Sequence, residues 1–214
     1  MILSTLSPSV IADRLRRGEF QNCEDPNLRG AEAAYSLCQA AVLVPLIFNR
    51  DHWELLLIRR TQRVSHHKGQ IAFPGGKWEP DDVSFLATAL RETREELGVD
   101  PNSIQVLGPL PQRVTLSTGF LIHPFVGQLQ PPLLLQPETR EVALVLTVPL
   151  DFFLDPAYHE IATEPGSDFV QHRFFYGEHT IWGATASIIQ RFVELLVTPV
   201  TPVTPALSTD QPGR

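Results

Sequence analysis

Three glutamates lie close together in the middle of the chain, at Glu92, Glu95 and Glu96. In an α-helix, residues three and four apart share a face, so the three carboxylates would form one surface. Like charges there repel by about 0.2–0.5 kcal/mol per pair, and a bound cation would reverse that penalty. Hard divalent ions prefer carboxylate oxygens, and Mg²⁺ often combines a few carboxylates with substrate phosphate. Taken alone, such a face is more often a solvated surface than a site.

The surrounding residues favour a helix from about Asp82 to Leu97. Gly98 follows at the position where helices prefer glycine. A helical period of 3.6 residues also places one apolar stripe on a second face, which we expect to lie against the core. Its members are Leu86, Leu90, Thr93 and Leu97.

The segment in front of this helix has a regular spacing as well. Gly76 is followed by five residues and Asp82, and the helix then reads Arg91-Glu92-Thr93-Arg94-Glu95-Glu96-Leu97-Gly98-Val99. This arrangement resembles the Nudix box, in which Gly, five residues, Glu and seven residues precede Arg-Glu-apolar-x-Glu-Glu-x-Gly-apolar. Asp82 replaces Glu here, the next spacer has eight residues, and Thr93 occupies an apolar position. The central Arg-Glu-x-x-Glu-Glu-x-Gly is intact.

A second signature lies upstream. Leu56-Leu57-Ile58-Arg59-Arg60-Thr61 leads into His67-Lys68-Gly69-Gln70-Ile71-Ala72-Phe73-Pro74-Gly75-Gly76. This segment resembles the coenzyme A diphosphatase branch of the Nudix hydrolases, which also tends to have the longer spacer and an Asp in the box. Ser65 stands where that signature often has Arg. Glu141-Val142, Pro149-Leu150 and the segment 181–186 resemble the branch too.

The resemblance implies a hydrolase of phosphoanhydride bonds that depends on Mg²⁺ or Mn²⁺. It implies that Glu92, Glu95 and Glu96 ligate the cation, with the backbone carbonyl of Gly76 as a further ligand. The cation would neutralise the diphosphate, orient it and activate the attacking water. Arg91 is expected to pair with these carboxylates and orient them rather than to touch substrate.

The sequence does not identify the general base. Within the family the base is a glutamate of the box or one from a distant loop. Glu141, which directly precedes a predicted strand at Val142, is the distant candidate. Its alternative interpretation is a solvated loop carboxylate.

Positive charge is concentrated between Arg59 and Gly69, where four basic residues occur without an acid. A cationic cluster beside a metal site suits coenzyme A, which carries a diphosphate and a 3′-phosphate. Arg60 and Arg63 are the strongest candidates for phosphate contact, since strand alternation points Arg59 and Arg60 to opposite faces. The alternative is a basic turn that aids solubility. The full candidate substrate-binding set is Arg59, Arg60, Arg63, His66, Gly69 and Gln70.

Composition excludes several classes of function. The net charge of −7 argues against a broad surface for nucleic acid or an anionic membrane. The apolar stretch 40–48 is too short to cross a bilayer, and the start of the chain lacks the pattern of a secretory signal. Cys23 and Cys38 have no zinc spacing. We expect a cytoplasmic protein with a small-molecule substrate, no nucleic acid and no membrane partner, and the sequence leaves a homodimer open.

Strands outnumber helices and do not alternate with them regularly, which favours an α+β fold. The resemblance implies a Nudix α/β/α sandwich with a mixed β-sheet and a catalytic loop-helix. We divide the chain into an N-terminal helix and loop packed on the domain (1–36), the Nudix domain (37–196) and a disordered Thr/Pro-rich tail (197–214). The predicted strands are 40–48, 53–58, 104–109, 120–129, 142–148, 169–176 and 180–182, followed by a helix at 184–196, and 70–73 is a short apolar run that ends at Pro74-Gly75-Gly76.

These features predict hydrolysis of coenzyme A or a derivative to 3′,5′-ADP and 4′-phosphopantetheine. One alternative keeps the enzyme class and changes the substrate to NADH, ADP-ribose or another nucleoside diphosphate derivative. A second alternative is a non-catalytic Nudix domain that senses nucleotide. The intact Glu92, Glu95 and Glu96 argue against a sensor, and the acidic net charge fits poorly with an RNA-decapping role.

Overall fold

The computed structural model describes residues 3–19, 37–62, 68–115, 118–163 and 170–198. The α-helices in these ranges are α1 (Pro8–Glu19), α2 (Phe85–Leu97) and α3 (Gly183–Val197). None of the helices in the described ranges has the length and apolar character needed to span a membrane. The strands, in chain order, are β1 (Cys38–Asn49), β2 (His52–Arg60), β3 (Ile71–Ala72), β4 (Gly75–Lys77), β5 (Ile104–Pro109), β6 (Arg113–Thr115), β7 (Phe120–Leu129), β8 (Val142–Pro149), β9 (His159–Thr163), β10 (Val170–Tyr176) and β11 (His179–Trp182).

The larger sheet is built around β1, whose apolar run is buried on both faces. β1 pairs in the antiparallel sense with β2 and β4 and in the parallel sense with β7. β8 and β3 extend the sheet beside β2, and β5 and β6 pair with β7. The sheet is therefore mixed, as predicted.

Two hydrophobic clusters lie on opposite faces of this sheet. Alternate residues of β1 enter different clusters, because successive strand side chains point to opposite faces: Val44 and Leu46 enter one, Ala41 and Leu43 the other. α2 covers the second cluster through Ala89 and Leu97. The first cluster is covered by α1, α3 and the smaller sheet, through side chains such as Ile11, Phe192 and Phe174. The predicted α+β fold, with a mixed sheet between helical layers, is confirmed.

The smaller sheet consists of β9, β10 and β11 in antiparallel order. The predicted late hairpin is present as β10 and β11, and α3 follows directly. The side chains predicted to be buried on α3 are all buried: Ile188, Ile189, Phe192, Leu195 and Leu196. α1 contributes Ile11 and Leu15 to the core. The boundaries proposed for the three parts of the chain stay predictions, since 20–36 and 199–214 lie outside the described residues.

α2 begins at Phe85, three residues later than the sequence predicted. The hydroxyl of Ser84 caps its first turn by accepting a hydrogen bond from the Ala87 N–H at 3.1 Å. Gly98 ends the helix with a φ of 71°, in the left-handed region that favours glycine.

The buried face of α2 also differs from the predicted apolar stripe. Thr93 and Leu97 are buried, but Leu86 and Leu90 are only partly buried. β4 also lies close to the helix, since a Cβ added to Gly76 would overlap the Glu92 carboxylate. The buried residues of α2 are Thr88, Ala89, Thr93, Glu96 and Leu97.

A buried histidine supports the start of α2 from the sheet. His123 of β7 is 9% exposed, and its ring stacks on Phe85 with ring centroids 3.7 Å apart. Its two nitrogens lie 2.8 Å from Gln39 Oε1 and 3.2 Å from Gln112 Nε2. Burial lowers the pKa of His123 to about 4, so the ring is neutral in the folded protein near neutral pH.

We expect His123 to make the protein less stable in mild acid. An unfolded histidine titrates near 6.5, so between about pH 6.5 and 4 the unfolded state binds more protons than the folded state. The free energy of unfolding should therefore fall across that window, by about 2–3 kcal/mol from this residue. Urea unfolding at neutral pH and near pH 4.5 measures the change, and His123→Gln, which does not titrate, should show a smaller loss. An equal loss in both proteins would contradict the assignment.

Candidate active site

The three glutamates of α2 share a face but lie at very different depths. The side chain of Glu96 is 2% exposed, that of Glu92 is 18% exposed and that of Glu95 is 59% exposed. The spacing argument therefore places them together correctly, but one is enclosed by protein and one is largely in solvent. Each has a different set of neighbours.

Glu96 is held from two sides. Its Oε1 accepts a hydrogen bond from Arg60 Nη1 at 2.9 Å, and its Oε2 accepts one from the Gly75 N–H at 3.0 Å. Burial nevertheless raises the pKa of the Glu96 carboxyl to about 7, because these two partners offset only part of the loss of solvation. The carboxylate is thus enclosed and incompletely neutralised.

Glu92 lies against the Gly75-Gly76 backbone of β4. A Cβ on Gly76 would overlap the Glu92 carboxylate, so glycine is needed for this close approach. Gly75 has a φ of 153°, and a Cβ there would meet the backbone of β1. Burial raises the pKa of Glu92, against the opposing effect of Arg91. The glycine pair therefore brings backbone oxygen and nitrogen atoms up to the acidic face.

Arg91 connects Asp82, in the segment that precedes α2, to Glu92 and Glu95. Its Nε and Nη2 donate to the two carboxylate oxygens of Asp82, each at 3.0 Å. Its Nη1 donates to Glu92 Oε1 at 3.0 Å and to Glu95 Oε2 at 3.3 Å. One guanidinium thus sets the positions of two carboxylates, and the bidentate pair with Asp82 fixes the guanidinium itself. This geometry supports the predicted orienting role of Arg91.

Asp82 is the fixed point of this arrangement. Its Oδ2 also accepts hydrogen bonds from Thr88 Oγ1 at 2.9 Å and from the Glu79 N–H at 3.1 Å. The hydrogen bonds from Arg91 are the main reason why the pKa of Asp82 is lowered to about 2. Asp82 therefore remains ionised in the folded protein near neutral pH.

The loop that carries Glu141 docks on the end of α2. The Glu138 N–H donates to the carbonyl of Glu96 at 2.9 Å. At the other end, the Thr61 N–H donates to the Glu141 carbonyl at 2.8 Å, and Thr61 Oγ1 donates to the Arg140 carbonyl at 2.6 Å. The Glu141 carboxylate lies 3.9 Å from Arg60 and is 49% exposed. The distant candidate base is thus brought to the acidic face.

The basic segment reaches the site through Arg60. The Arg60 N–H donates to the Gln70 carbonyl at 3.0 Å, and the Gly69 N–H donates to the Arg60 carbonyl at 3.1 Å. Leu57 and Ile58 enter opposite clusters, so strand alternation puts Arg59 on the face away from α2. Arg63 and His66 lie outside the described residues. The substrate-binding roles of all six residues stay predictions.

The acidic face suits a hard divalent cation in its chemistry. Carboxylate and backbone carbonyl oxygens are the donors that Mg²⁺ and Mn²⁺ prefer, and burial leaves the charges of Glu92 and Glu96 incompletely compensated. Within the described ranges, no three Asp, Glu, His or Cys side chains already converge as a ligand set. Glu96 is engaged by Arg60, whereas Glu92 and Glu95 meet at Arg91. The ligand roles therefore stay predictions.

Comparison with known families agrees with this geometry. Residues 38–165, more than half of the chain, match the family model described as the NUDIX domain. The chain belongs to the Nudix family. Its catalytic class is accordingly that of a hydrolase acting on phosphoanhydride bonds, and Nudix enzymes generally use divalent cations.

Curated relatives of this Nudix hydrolase support the assignment. A protein described as the uncharacterized Nudix hydrolase NudL of Photorhabdus laumondii is 41% identical over 157 residues, which cover 72% of this chain and 83% of the relative. The NudL of Pectobacterium atrosepticum is 40% identical over 176 residues, covering 80% of this chain and 88% of the relative. A MutT/nudix family protein from Enterococcus faecalis shares the fold, with a TM-score of 0.51, 20% identity and coverage of 75% of this chain and 62% of its own.

Sequence reasoning favoured a close approach of Pro74-Gly75-Gly76 to the acidic face but missed three contacts of the Nudix site. Asp82 was identified only as a departure from the box, whereas it anchors Arg91. Gly75 donates its backbone N–H to Glu96, and Thr61 ties the Glu141 loop to β2. The left-handed φ of Gly75 is a structural feature without a sequence signal beyond Gly-Gly itself, and Thr61 has none.

Proposed function

We propose that this Nudix hydrolase cleaves the diphosphate of coenzyme A or its derivatives to 3′,5′-ADP and 4′-phosphopantetheine, with Mg²⁺ or Mn²⁺ as cofactor. One observation carries the proposal. Arg60 comes from the segment that resembles the coenzyme A branch, and its guanidinium lies 2.9 Å from Glu96 on the box helix. The branch-like segment and the acidic face thus contribute to a single site.

The residues that would hold the cation are Glu92, Glu95 and Glu96, with the Gly76 carbonyl. When bound, the cation supplies charge neutralisation of the diphosphate and activation of water. Arg91 keeps Glu92 and Glu95 within reach of one another through its contacts at 3.0 and 3.3 Å. The absence of a side chain on Gly76 lets the Glu92 carboxylate lie close to the Gly76 backbone, whose carbonyl is the further ligand proposed.

Glu141 is our candidate for the general base. Its exposed carboxylate accepts the proton of the attacking water while the water oxygen bonds to one phosphorus of the diphosphate. The bond from that phosphorus to the bridging oxygen then breaks, and the bridging oxygen leaves with the other phosphate. The charge of Glu141 makes a small contribution to the raised pKa values of Glu92 and Glu96, which supports a base close to the acidic face. A glutamate of α2 itself is the alternative base.

Substrate recognition is proposed for the basic segment. Coenzyme A presents phosphates at the diphosphate and at the ribose 3′ position, and guanidinium groups bind such oxygens in forked geometry. We assign phosphate contact to Arg60 and Arg63, and further contacts to His66, Gly69 and Gln70; Arg59, the remaining residue of the predicted set, projects from the face away from α2. NADH and ADP-ribose lack the 3′-phosphate, so this cluster favours coenzyme A over them.

The decisive experiment is a substrate panel. The purified protein is incubated with Mg²⁺ or Mn²⁺ and, separately, with coenzyme A, NADH, ADP-ribose and a capped dinucleotide, and the products are identified by mass. Phosphopantetheine and 3′,5′-ADP at the highest kcat/KM support the proposal, and a chelated sample serves as the blank. A higher kcat/KM for NADH or ADP-ribose would contradict the coenzyme A assignment but leave the enzyme class unchanged. Nucleotide binding without turnover would favour a sensor.

A further inference from the structure

Arg60 has two roles that conflict in the arrangement observed. As a substrate-binding residue it should face phosphate, and as observed it donates to Glu96 Oε1 at 2.9 Å. The other oxygen of Glu96 is taken by the Gly75 N–H at 3.0 Å. Both oxygens are thus engaged, and a cation bound to Oε1 would lie close to the guanidinium. Two cations competing for one carboxylate oxygen repel each other.

The pairing has a clear physical origin. Glu96 is 2% exposed, and an enclosed carboxylate without a counter-charge is costly. In the described part of the chain, Arg60 supplies the cationic contact of this carboxylate. The guanidinium therefore supplies the positive charge beside Glu96 that a bound divalent cation would otherwise supply.

We propose that Arg60 is the counter-charge of Glu96 in the cation-free protein and moves from Glu96 to the substrate phosphates when a divalent cation binds at Glu96. Only the second part of this inference, the movement of Arg60 to the substrate phosphates, rests on the proposed function. Arg60 is accordingly a positioning residue in the free enzyme and a binding residue in the complex.

The surroundings of Arg60 allow such a movement. Its backbone is fixed by hydrogen bonds to Gln70 and Gly69, so the change is confined to the side chain. The long side chain is 20% exposed, and its Nη2 already lies 3.9 Å from the half-exposed Glu141. Glu141 thus offers a second acidic partner on the solvent side. The guanidinium can turn outward toward solvent, on the side of Glu141, without crossing the core.

The first test measures Mg²⁺ affinity from the rise of Tm with Mg²⁺ concentration. It compares the wild type with Arg60→Gln at about pH 8.5, where carboxylates are ionised. Without Mg²⁺, we expect Arg60→Gln to have a lower Tm than the wild type. Its Kd for Mg²⁺ should be at least about fivefold lower, because the guanidinium that competes with Mg²⁺ for Glu96 is gone. The control is Arg59→Gln, which removes the same charge from the opposite face and should shift the Kd much less. An unchanged or higher Kd in Arg60→Gln, as expected of a plain structural ion pair, overturns the proposal.

A second variant keeps the test valid if Arg60→Gln folds poorly. Arg60→Lys retains the charge but not the fork, and its Kd for Mg²⁺ should lie between those of the wild type and Arg60→Gln. If Arg60→Lys had a lower Kd for Mg²⁺ than Arg60→Gln, competition between the side-chain charge and Mg²⁺ would be contradicted. The Mg²⁺ readout needs no substrate, so it stands or falls independently of the coenzyme A assignment.

The second step is tested with substrate at saturating Mg²⁺. Arg60→Gln should raise KM for coenzyme A about tenfold, because a charge-assisted contact to phosphate is lost once Arg60 has left Glu96. An unchanged KM together with tighter Mg²⁺ binding would overturn the transfer to phosphate while leaving the counter-charge role in place. Failure of the substrate panel itself would show as an absence of coenzyme A turnover in the wild type.

Discussion

Glu95→Gln is expected to lower kcat by at least about a thousandfold, on the order of 4 kcal/mol in the activation free energy. The fold should persist, with a free energy of unfolding within about 0.5 kcal/mol of the wild type. The small effect on stability is expected because Glu95 is 59% exposed and accepts a hydrogen bond from Arg91 at 3.3 Å. Glutamine keeps the shape and that acceptor but removes the negative charge.

The size of the effect follows from the role proposed for this face. A carboxylate that ligates the cation stabilises the charge of the transition state through it, and a neutral amide oxygen is a much weaker ligand. A solvated surface glutamate has no such role. The same substitution therefore separates the two interpretations of the acidic helix that its sequence alone leaves open.

The measurement is kcat with saturating substrate and cation, alongside urea unfolding of the same samples. Glu178→Gln is the matched control, because Glu178 is an exposed glutamate in the turn between β10 and β11, away from the site. It should leave both quantities unchanged. Activity of Glu95→Gln equal to that of the control would remove Glu95 from the metal site.

Helix periodicity explains which features of the site were predictable. The i+3 and i+4 spacing is local, so Glu92, Glu95 and Glu96 had to share a face once the helix formed. Their depth depends on partners from other elements. Arg60 is 36 residues away from Glu96 and Gly75 is 21 residues away. No pattern within the helix records those contacts, so the burial of Glu96 was not predicted.

The strands likewise divide into those that the local sequence predicts and those that depend on distant partners. β1, β2, β7 and β8 are long and apolar, and their positions were predicted to within a few residues. β4, β6 and β9 were missed because they have three to five residues and little apolar alternation; β4 is Gly75-Gly76-Lys77. Their pairing is imposed by neighbouring strands rather than by propensity. The parallel pairing of β1 with β7 is likewise a long-range contact that a single sequence does not reveal.

Asp82→Asn is the second substitution with a large expected effect. We expect kcat/KM to fall about 10- to 100-fold, the usual cost of losing a residue that orients ligands. The free energy of unfolding should fall by about 2–3 kcal/mol, since hydrogen bonds to an ionised group are among the stronger ones. Asp82 is 7% exposed, and both of its oxygens accept from Arg91.

The amide cannot reproduce this arrangement. Oδ1 receives Arg91 Nε, while Oδ2 receives Arg91 Nη2, Thr88 Oγ1 and the Glu79 N–H. Asparagine replaces one acceptor by an NH₂ group, which would face a donor whichever way it is turned. Arg91 would then be free to leave Glu92 and Glu95, so the outer carboxylates lose their common anchor.

The pH dependence of this effect has a defined sign. The pKa of Asp82 is lowered to about 2 by Arg91, whereas an unfolded aspartate titrates near 3.9. The stabilisation is fully present above about pH 4 and is lost as the pH falls toward 2. The difference in unfolding free energy between wild type and Asp82→Asn should therefore shrink across that window.

Two controls make the test specific. Asp81→Asn changes the exposed neighbouring aspartate and should leave kcat/KM and stability unchanged. Asp82→Glu restores a carboxylate, the residue that the box pattern has at this position, and should recover most of the activity. A structural role without connection to the carboxylates would lower stability in Asp82→Asn but leave kcat/KM intact. Loss of kcat/KM with rescue by glutamate would instead show that Asp82 acts through Arg91 on Glu92 and Glu95.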